Sequence, residues 1–217
     1  MLKNLLAMSV LGLAAATSAS AVTINFENLA EGATLSNQYA AQGVTFSADP
    51  FSGAGSSTSL AAWATNTDMT IVSSIGTDVG GLGTPAVVSG NVLRSFDGWF
   101  VEDGDPSFLM SFSTPISSIS VDFAGVSVSA DVRLFIYNGA SLLATVAGTS
   151  AASGNKQFTL SYSAASFTSV AVAPGSFDDW VGVDNIVFAP VPETSTYLMM
   201  ALGLAALGLV ARRRRAD

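Results

Sequence analysis

A period-two alternation of β-branched or aromatic residues with polar ones, repeated from Val22 to Pro190, constrains this chain more than any other feature. Ile24 and Phe26 alternate in this way. So do Val44 and Phe46; Ile119, Val121 and Phe123; Val132, Leu134 and Ile136; and Phe158, Leu160 and Tyr162. Successive side chains of a strand point to opposite faces, so this period predicts half-buried antiparallel strands. Further strands are expected at Met69–Ile75, Phe108–Phe112, Leu142–Ala147, Phe167–Ala173 and Val181–Phe188. Asn138-Gly139, between two such runs, is a hairpin signal. Many short strands joined by Gly/Ser/Asp segments predict an all-β fold, an antiparallel two-sheet β-sandwich that is jelly-roll-like. One helix is expected at Ser36–Gln42, capped by Ser36 and stopped by Gly43. The Gly/Ser-rich stretches Asp49–Ser59 and Gly76–Gly90 read as loops, and neither carries a phosphate-binding pattern.

Composition narrows the chemistry. Cysteine and histidine are both absent. That excludes disulfides, thiolate metal sites, a Ser-His-Asp triad and the commonest zinc ligand. Of eight basic residues, only Arg94, Arg133 and Lys156 lie between Val22 and Pro190, whereas all the sixteen acids except Glu193 and Asp217 lie there. Such a surface repels phosphates, so no nucleic acid partner is expected, and it attracts divalent cations.

The two ends differ from the middle. Lys3 precedes the apolar run Leu5–Ala16 and then Ala19-Ser20-Ala21. This is the pattern of a secretory signal peptide over residues 1–21, read by the Sec translocon and cut by signal peptidase after Ala21. At the other end Val191-Pro192-Glu193-Thr194-Ser195-Thr196 is followed by the apolar run Tyr197–Ala211 and by Arg212, Arg213, Arg214 and Arg215. As a helix that run would extend about 22 Å, short of the roughly 30 Å hydrocarbon core. Snorkelling arginines and an interfacial Tyr197 make insertion in the inner membrane feasible, with the arginines cytoplasmic and the middle domain outside.

The order Pro-Glu, Ser/Thr, aromatic, a Leu/Gly/Ala/Met-rich span and terminal arginines resembles the PEP-CTERM sorting signal of Gram-negative bacteria, over Val191–Asp217. The resemblance implies an exosortase that recognises Val191, Pro192, Glu193 and Thr194. Thr194 stands where the family has a second proline. It also implies an inner-membrane-anchored intermediate, a final place at the cell surface or in the extracellular matrix, and a link to exopolysaccharide and biofilm. Phe26-Glu27-Asn28-Leu29 through Gly43-Val44-Thr45-Phe46, and Asp184-Asn185-Ile186-Val187-Phe188, resemble the opening and closing segments of many such ectodomains. Those ectodomains are similar to noncatalytic jelly-roll carbohydrate-binding modules, whose first and last strands often share a structural calcium.

On that resemblance the expected metal site is a calcium ion held by Glu27 and Asp184, with Asp178 or Asp179 nearby. The other reading is that these acids are solvated or cap turns. The cluster Asp97, Glu102, Asp103 and Asp105 lacks the spacing of an EF-hand and reads as a solvated turn or an irregular calcium loop. Three tryptophans lie in the domain, and Trp99 and Trp180, flanked by acids, are the candidate carbohydrate-binding platforms; core packing is the alternative for Trp63 and for both of these. No catalytic residue is assigned, because a carboxylate pair for glycoside cleavage is defined by a distance that a sequence does not contain. The expected function is therefore a noncatalytic surface or matrix protein that binds exopolysaccharide. A structural matrix protein without a specific ligand, or a secreted polysaccharide-modifying enzyme, are the alternatives.

Overall fold

The computed structural model describes residues 20–48, 69–74, 88–94, 108–126, 132–148, 156–174, 181–191 and 203–205. The chain divides into two units, Ser20–Val191 and Met1–Ala19 with Pro192–Asp217. In the latter, residues 203–205 are helical and exposed. Among the described residues no helix is long and apolar enough to cross a membrane. The signal peptide and nearly all of Tyr197–Ala211 lie outside them.

The unit Ser20–Val191 is all-β. Its strands are β1 (Val22–Ile24), β2 (Val44–Ala48), β3 (Thr70–Ser73), β4 (Asn91–Arg94), β5 (Phe108–Val126), β6 (Arg133–Asn138), β7 (Ser141–Ala147), β8 (Lys156–Ala173) and β9 (Gly182–Pro190). Every pairing is antiparallel. The order is β3-β4-β9-β5-β8-β6-β7, with β1 on β9 and β2 on β5.

Hydrogen bonding is continuous through the two longest strands, so the nine strands form one antiparallel sheet, consistent with a sandwich-like fold. Phe108–Phe112 and Ile119–Phe123 are expected as separate strands and are one, β5. Phe158–Tyr162 and Phe167–Ala173 likewise fuse into β8. The register of β5 on β8 breaks between Ser111 and Ile116, where Pro115 has no N–H for the ladder. Before the break β5 pairs with β2; after it β5 pairs with β9. The result is a sandwich-like arrangement of two halves of one sheet around a shared core. That core joins Phe46, Phe108, Leu134, Ile136 and Val170 to Ile71, Leu93, Val183, Ile186 and Phe188. Phe112 and Phe188 lie ring to ring at 4.9 Å.

Two local expectations change. The helix at Ser36–Gln42 is only a 3₁₀ turn, Ala40–Gln42, although Gly43 does end it in the left-handed region at φ 92°. Ser36 does not cap it, because side chains nearby satisfy the backbone instead. The Ser36 N–H donates to Gln38 Oε1 at 2.7 Å, and Gln38 Nε2 donates to the Thr34 carbonyl at 2.7 Å. The second change is β4, a strand of four residues that its length and Asn91 conceal in the sequence. The hairpin at Asn138-Gly139 forms as expected, joining β6 to β7 with Gly139 at φ 58°.

Candidate functional site

The first and last strands of the unit lie side by side, with Val22 opposite Phe188 and Ile24 opposite Ile186. Just past β1 the chain turns sharply. Phe26 adopts φ 59°, and the Leu29 N–H closes the turn on the Phe26 carbonyl at 3.0 Å. Burial of the Phe26 ring against Tyr39 and Phe46, at 5.9 and 6.4 Å, holds this left-handed backbone in a residue that disfavours it. The Tyr39 hydroxyl donates to Asn28 Oδ1 at 2.6 Å and ties the turn down from within. Glu27, next to Phe26 in the turn, is thereby exposed and aimed at the start of β4.

Asp184 arrives from β9. Between Ser120–Asp122 on β5 and Asp184–Val187 on β9 the register shifts by one residue, leaving an extra residue on β9. Asn185, at φ 44°, lies in that bulge. Bulges re-aim side chains, and here Asp184 is only 1% exposed. Its Oδ1 accepts the Asn185 N–H at 2.7 Å and its Oδ2 accepts the Ser89 N–H at 3.3 Å.

Glu27 and Asp184 meet on one short segment, Ser89–Asn91. Glu27 Oε1 accepts the Asn91 N–H at 3.1 Å, and Asn91 Nδ2 donates to the Leu29 carbonyl at 2.9 Å. Between them Gly90, at φ 64°, lies against the Glu27 carboxylate, so close that a Cβ would overlap it. Asp122 is the partner of Asp184 across β5 and β9, and its carboxylate accepts the Thr159 hydroxyl.

The electrostatics follow from burial beside other acids. Desolvation pushes the Asp184 carboxyl up from 3.8 to about 7; the Asn185 and Ser89 N–H groups act against this, and the Glu27 and Asp122 charges add to it. Tyr39 is raised as well, first by burial and then by the charges of Asp184 and Glu27. An acid in such a place is satisfied either by a proton or by a cation. Among the described residues no three acidic side chains converge closely enough to ligate one ion. From the described residues a cation here would have two carboxylates, Glu27 and Asp184, together with carbonyl oxygens and water, which calcium accepts. Asp122 acts on Asp184 through its charge.

Asp178, Asp179, Trp99 and Trp180 lie outside the described residues, as do Trp63 and the cluster from Asp97 to Asp105. Of the sorting motif only Val191 is described, and its N–H donates to the Pro115 carbonyl at 2.9 Å. Pro192, Glu193, Thr194 and Arg212–Arg215 lie outside. Sequence reading misses Asp122, Gly90 and Asn91. Asp122 sits on the polar side of an alternating strand, where a solvated acid is ordinary, and only the pairing of β5 with β9 reveals its neighbour.

Gly90→Ala is the direct test of the packing in this site. The change adds strain at a left-handed φ and displaces the Glu27 carboxylate. It should cost about 1–3 kcal/mol in chemical unfolding. A loss under about 0.5 kcal/mol would mean that Glu27 does not rest on Gly90.

No family model and no curated protein matches this sequence. Several solved structures align with this chain at low identity. The K2 cleaved adhesin domain of Lys-gingipain is 15% identical with a TM-score of 0.47, over 78% of this chain and 99% of that one. A Stig cyclase, Fisc, from Fischerella sp. TAU is 12% identical with a TM-score of 0.44, over 79% of this chain and 100% of its own. A carbohydrate-binding module of family 29 is 13% identical with a TM-score of 0.25, over 45% of this chain and 65% of that one. Adhesin and carbohydrate-binding domains thus stand beside an enzyme among the neighbours, and at such scores none of them decides what this chain does.

Proposed function

We propose that this chain is an exported, noncatalytic β-sandwich module of the cell surface or extracellular matrix. It is clasped by calcium at its paired terminal strands and binds exopolysaccharide. The observation that carries the reading is the buried Asp184 carboxylate, which shares the Ser89–Asn91 segment with Glu27 and feels no described positive charge. Calcium bound there would neutralise both carboxylates and tie the turn after β1 to β9 and to the start of β4. The ion's role is structural: it ties the terminal strands to β4 and leaves sugar recognition to other side chains. Trp99 and Trp180 are the proposed stacking platforms.

Export and sorting rest on the two ends of the sequence. The proposed order is translocation by Sec, cleavage by signal peptidase after Ala21, anchoring of Tyr197–Ala211 in the inner membrane, and recognition of Val191-Pro192-Glu193-Thr194 by an exosortase. The jelly-roll form of the sandwich belongs to the same reading.

The test is to express Ser20–Val191 and measure its binding to a panel of acidic and neutral bacterial polysaccharides, in calcium and in EDTA. Saturable binding lost in the Trp99→Ala/Trp180→Ala variant supports the reading. Folded protein that binds nothing in either condition favours a structural matrix protein. Glu27→Ala should abolish the gain in melting temperature that calcium gives; an unchanged gain would remove Glu27 from the ion.

A further inference from the structure

The strand β7 closes one end of the sheet order and, among the described residues, pairs with β6 alone. An edge strand presents unpaired N–H and C=O groups, and soluble proteins usually blunt it with lysine, proline or an inward charge. The sequence Ser141-Leu142-Leu143-Ala144-Thr145-Val146-Ala147 has none of these and no glycine, in a chain of net charge −8. The edge at the other end, β3, has only four residues.

The edge also carries the unit's exposed apolar side chains. Among the described residues of Ser20–Val191, the large hydrophobic side chains that stand exposed are Leu142 at 52% and Leu143 at 45%. The cause is a bulge. Ile136 faces Ala144 and Tyr137 faces Leu142, so Leu143 is the extra residue and two adjacent leucines turn outward. From Leu143 onward the alternation is regular. Ala144 and Val146 pack against the core, whereas Leu143, Thr145 and Ala147 are exposed.

We infer that β7 is a homodimer edge, pairing antiparallel with β7 of a second copy about a twofold axis at Thr145. That register places Leu143 opposite the partner's Ala147, Ala144 opposite the partner's Val146, and Thr145 opposite the partner's Thr145. Every pair then matches in face: the alanine–valine pairs extend the core side, and the leucine–alanine and threonine–threonine pairs cover the outer side. A register centred on Ala144 puts the exposed Leu142 opposite the core-side Val146, and one centred on Val146 keeps the faces matched but leaves Leu143 with no partner inside the strand. A second copy suits this edge because the strand is uncharged where the chain as a whole is acidic, so like chains can approach along it. This inference does not depend on the calcium or glycan reading.

A twofold axis at Thr145 makes the test specific. Sedimentation velocity on the full chain in a mild detergent, over a concentration series, should show a monomer–dimer equilibrium. Thr145→Lys and Thr145→Glu each place like charges directly across the axis and should raise the dissociation constant about tenfold or more. An equimolar mixture of the two variants should restore dimers, because opposite charges then meet. Leu143→Ala, which only trims exposed apolar surface, should weaken association in the same direction while leaving the melting temperature unchanged. A chain that stays monomeric throughout, variants that associate like the parent, or a mixture no better than its components would overturn the inference.

Discussion

In EDTA the melting temperature should fall as the pH is raised from 4 to 7 and level off above that, and calcium should reverse the fall. The sign comes from Asp184. Its carboxyl ionises near 3.8 when unfolded and near 7 when folded. Below the lower value both states hold the proton. Between the two values the folded state keeps a proton that the unfolded state has released, so stability drops as pH rises. Above about 7 both are ionised and the full cost of a buried charge remains, on the order of 4 kcal/mol, or roughly 10 °C for a domain of this size. Calcium binds the ionised form and competes with the proton, so its stabilisation should grow through the same window. Asp184→Asn isolates the effect from the general repulsion among acids. The amide keeps an acceptor for the Asn185 N–H and gives up only the longer bond to Ser89. That variant should melt above the parent in EDTA at pH 8, lose most of the pH slope, and respond little to calcium. Parallel slopes for variant and parent would dismiss Asp184 as the group responsible.

Phe26→Ala should be the most damaging single change in the described core, at about 3–5 kcal/mol in chemical unfolding. The ring is fully buried, and it packs edge-on against Tyr39 and Phe46, which themselves lie 6.2 Å apart. Removing it empties the centre of a three-ring cluster that cannot collapse without moving the turn. The backbone offers a second readout. At φ 59° a Cβ is strained and glycine is not. Phe26→Gly should therefore be as stable as Phe26→Ala or slightly more so, the reverse of the usual order within a strand. A glycine variant weaker than the alanine one by about 1 kcal/mol would show that the left-handed backbone is not a source of strain. Because Glu27 and Asn28 belong to this turn, either variant should also weaken the calcium response, which links the core to the site.

Much of this organisation was legible in the sequence. Alternation at Val44/Phe46, Leu134/Ile136 and Ile119/Val121/Phe123 marked strands, because a half-buried strand must alternate its faces whatever it pairs with. Gly43 and Asn138-Gly139 marked a stop and a hairpin through backbone preference alone. The absence of cysteine and histidine restricts the site chemistry whatever the fold. Other features had no local signature. The fusion of two expected strands into β5, with Pro115 at the break, depends on what lies on either side of each half. The strand β4 is too short to show a period.

The sequence by itself therefore determined the all-β class, the antiparallel strands, the stop at Gly43 and the hairpin at Asn138-Gly139, which follow from side-chain periodicity and φ preference acting within a few residues. The acids Glu27 and Asp184 became candidates through the resemblance of their segments to those of known ectodomains. Only the tertiary structure decided that Glu27 and Asp184 share the Ser89–Asn91 segment, that Asp122 faces Asp184, and that Gly90 must lack a side chain. It alone left β7 at an edge with Leu142 and Leu143 outside. Those outcomes rest on strand order and register, which are set by burying one shared core among segments far apart in the chain. No local pattern records which strand a given strand will meet.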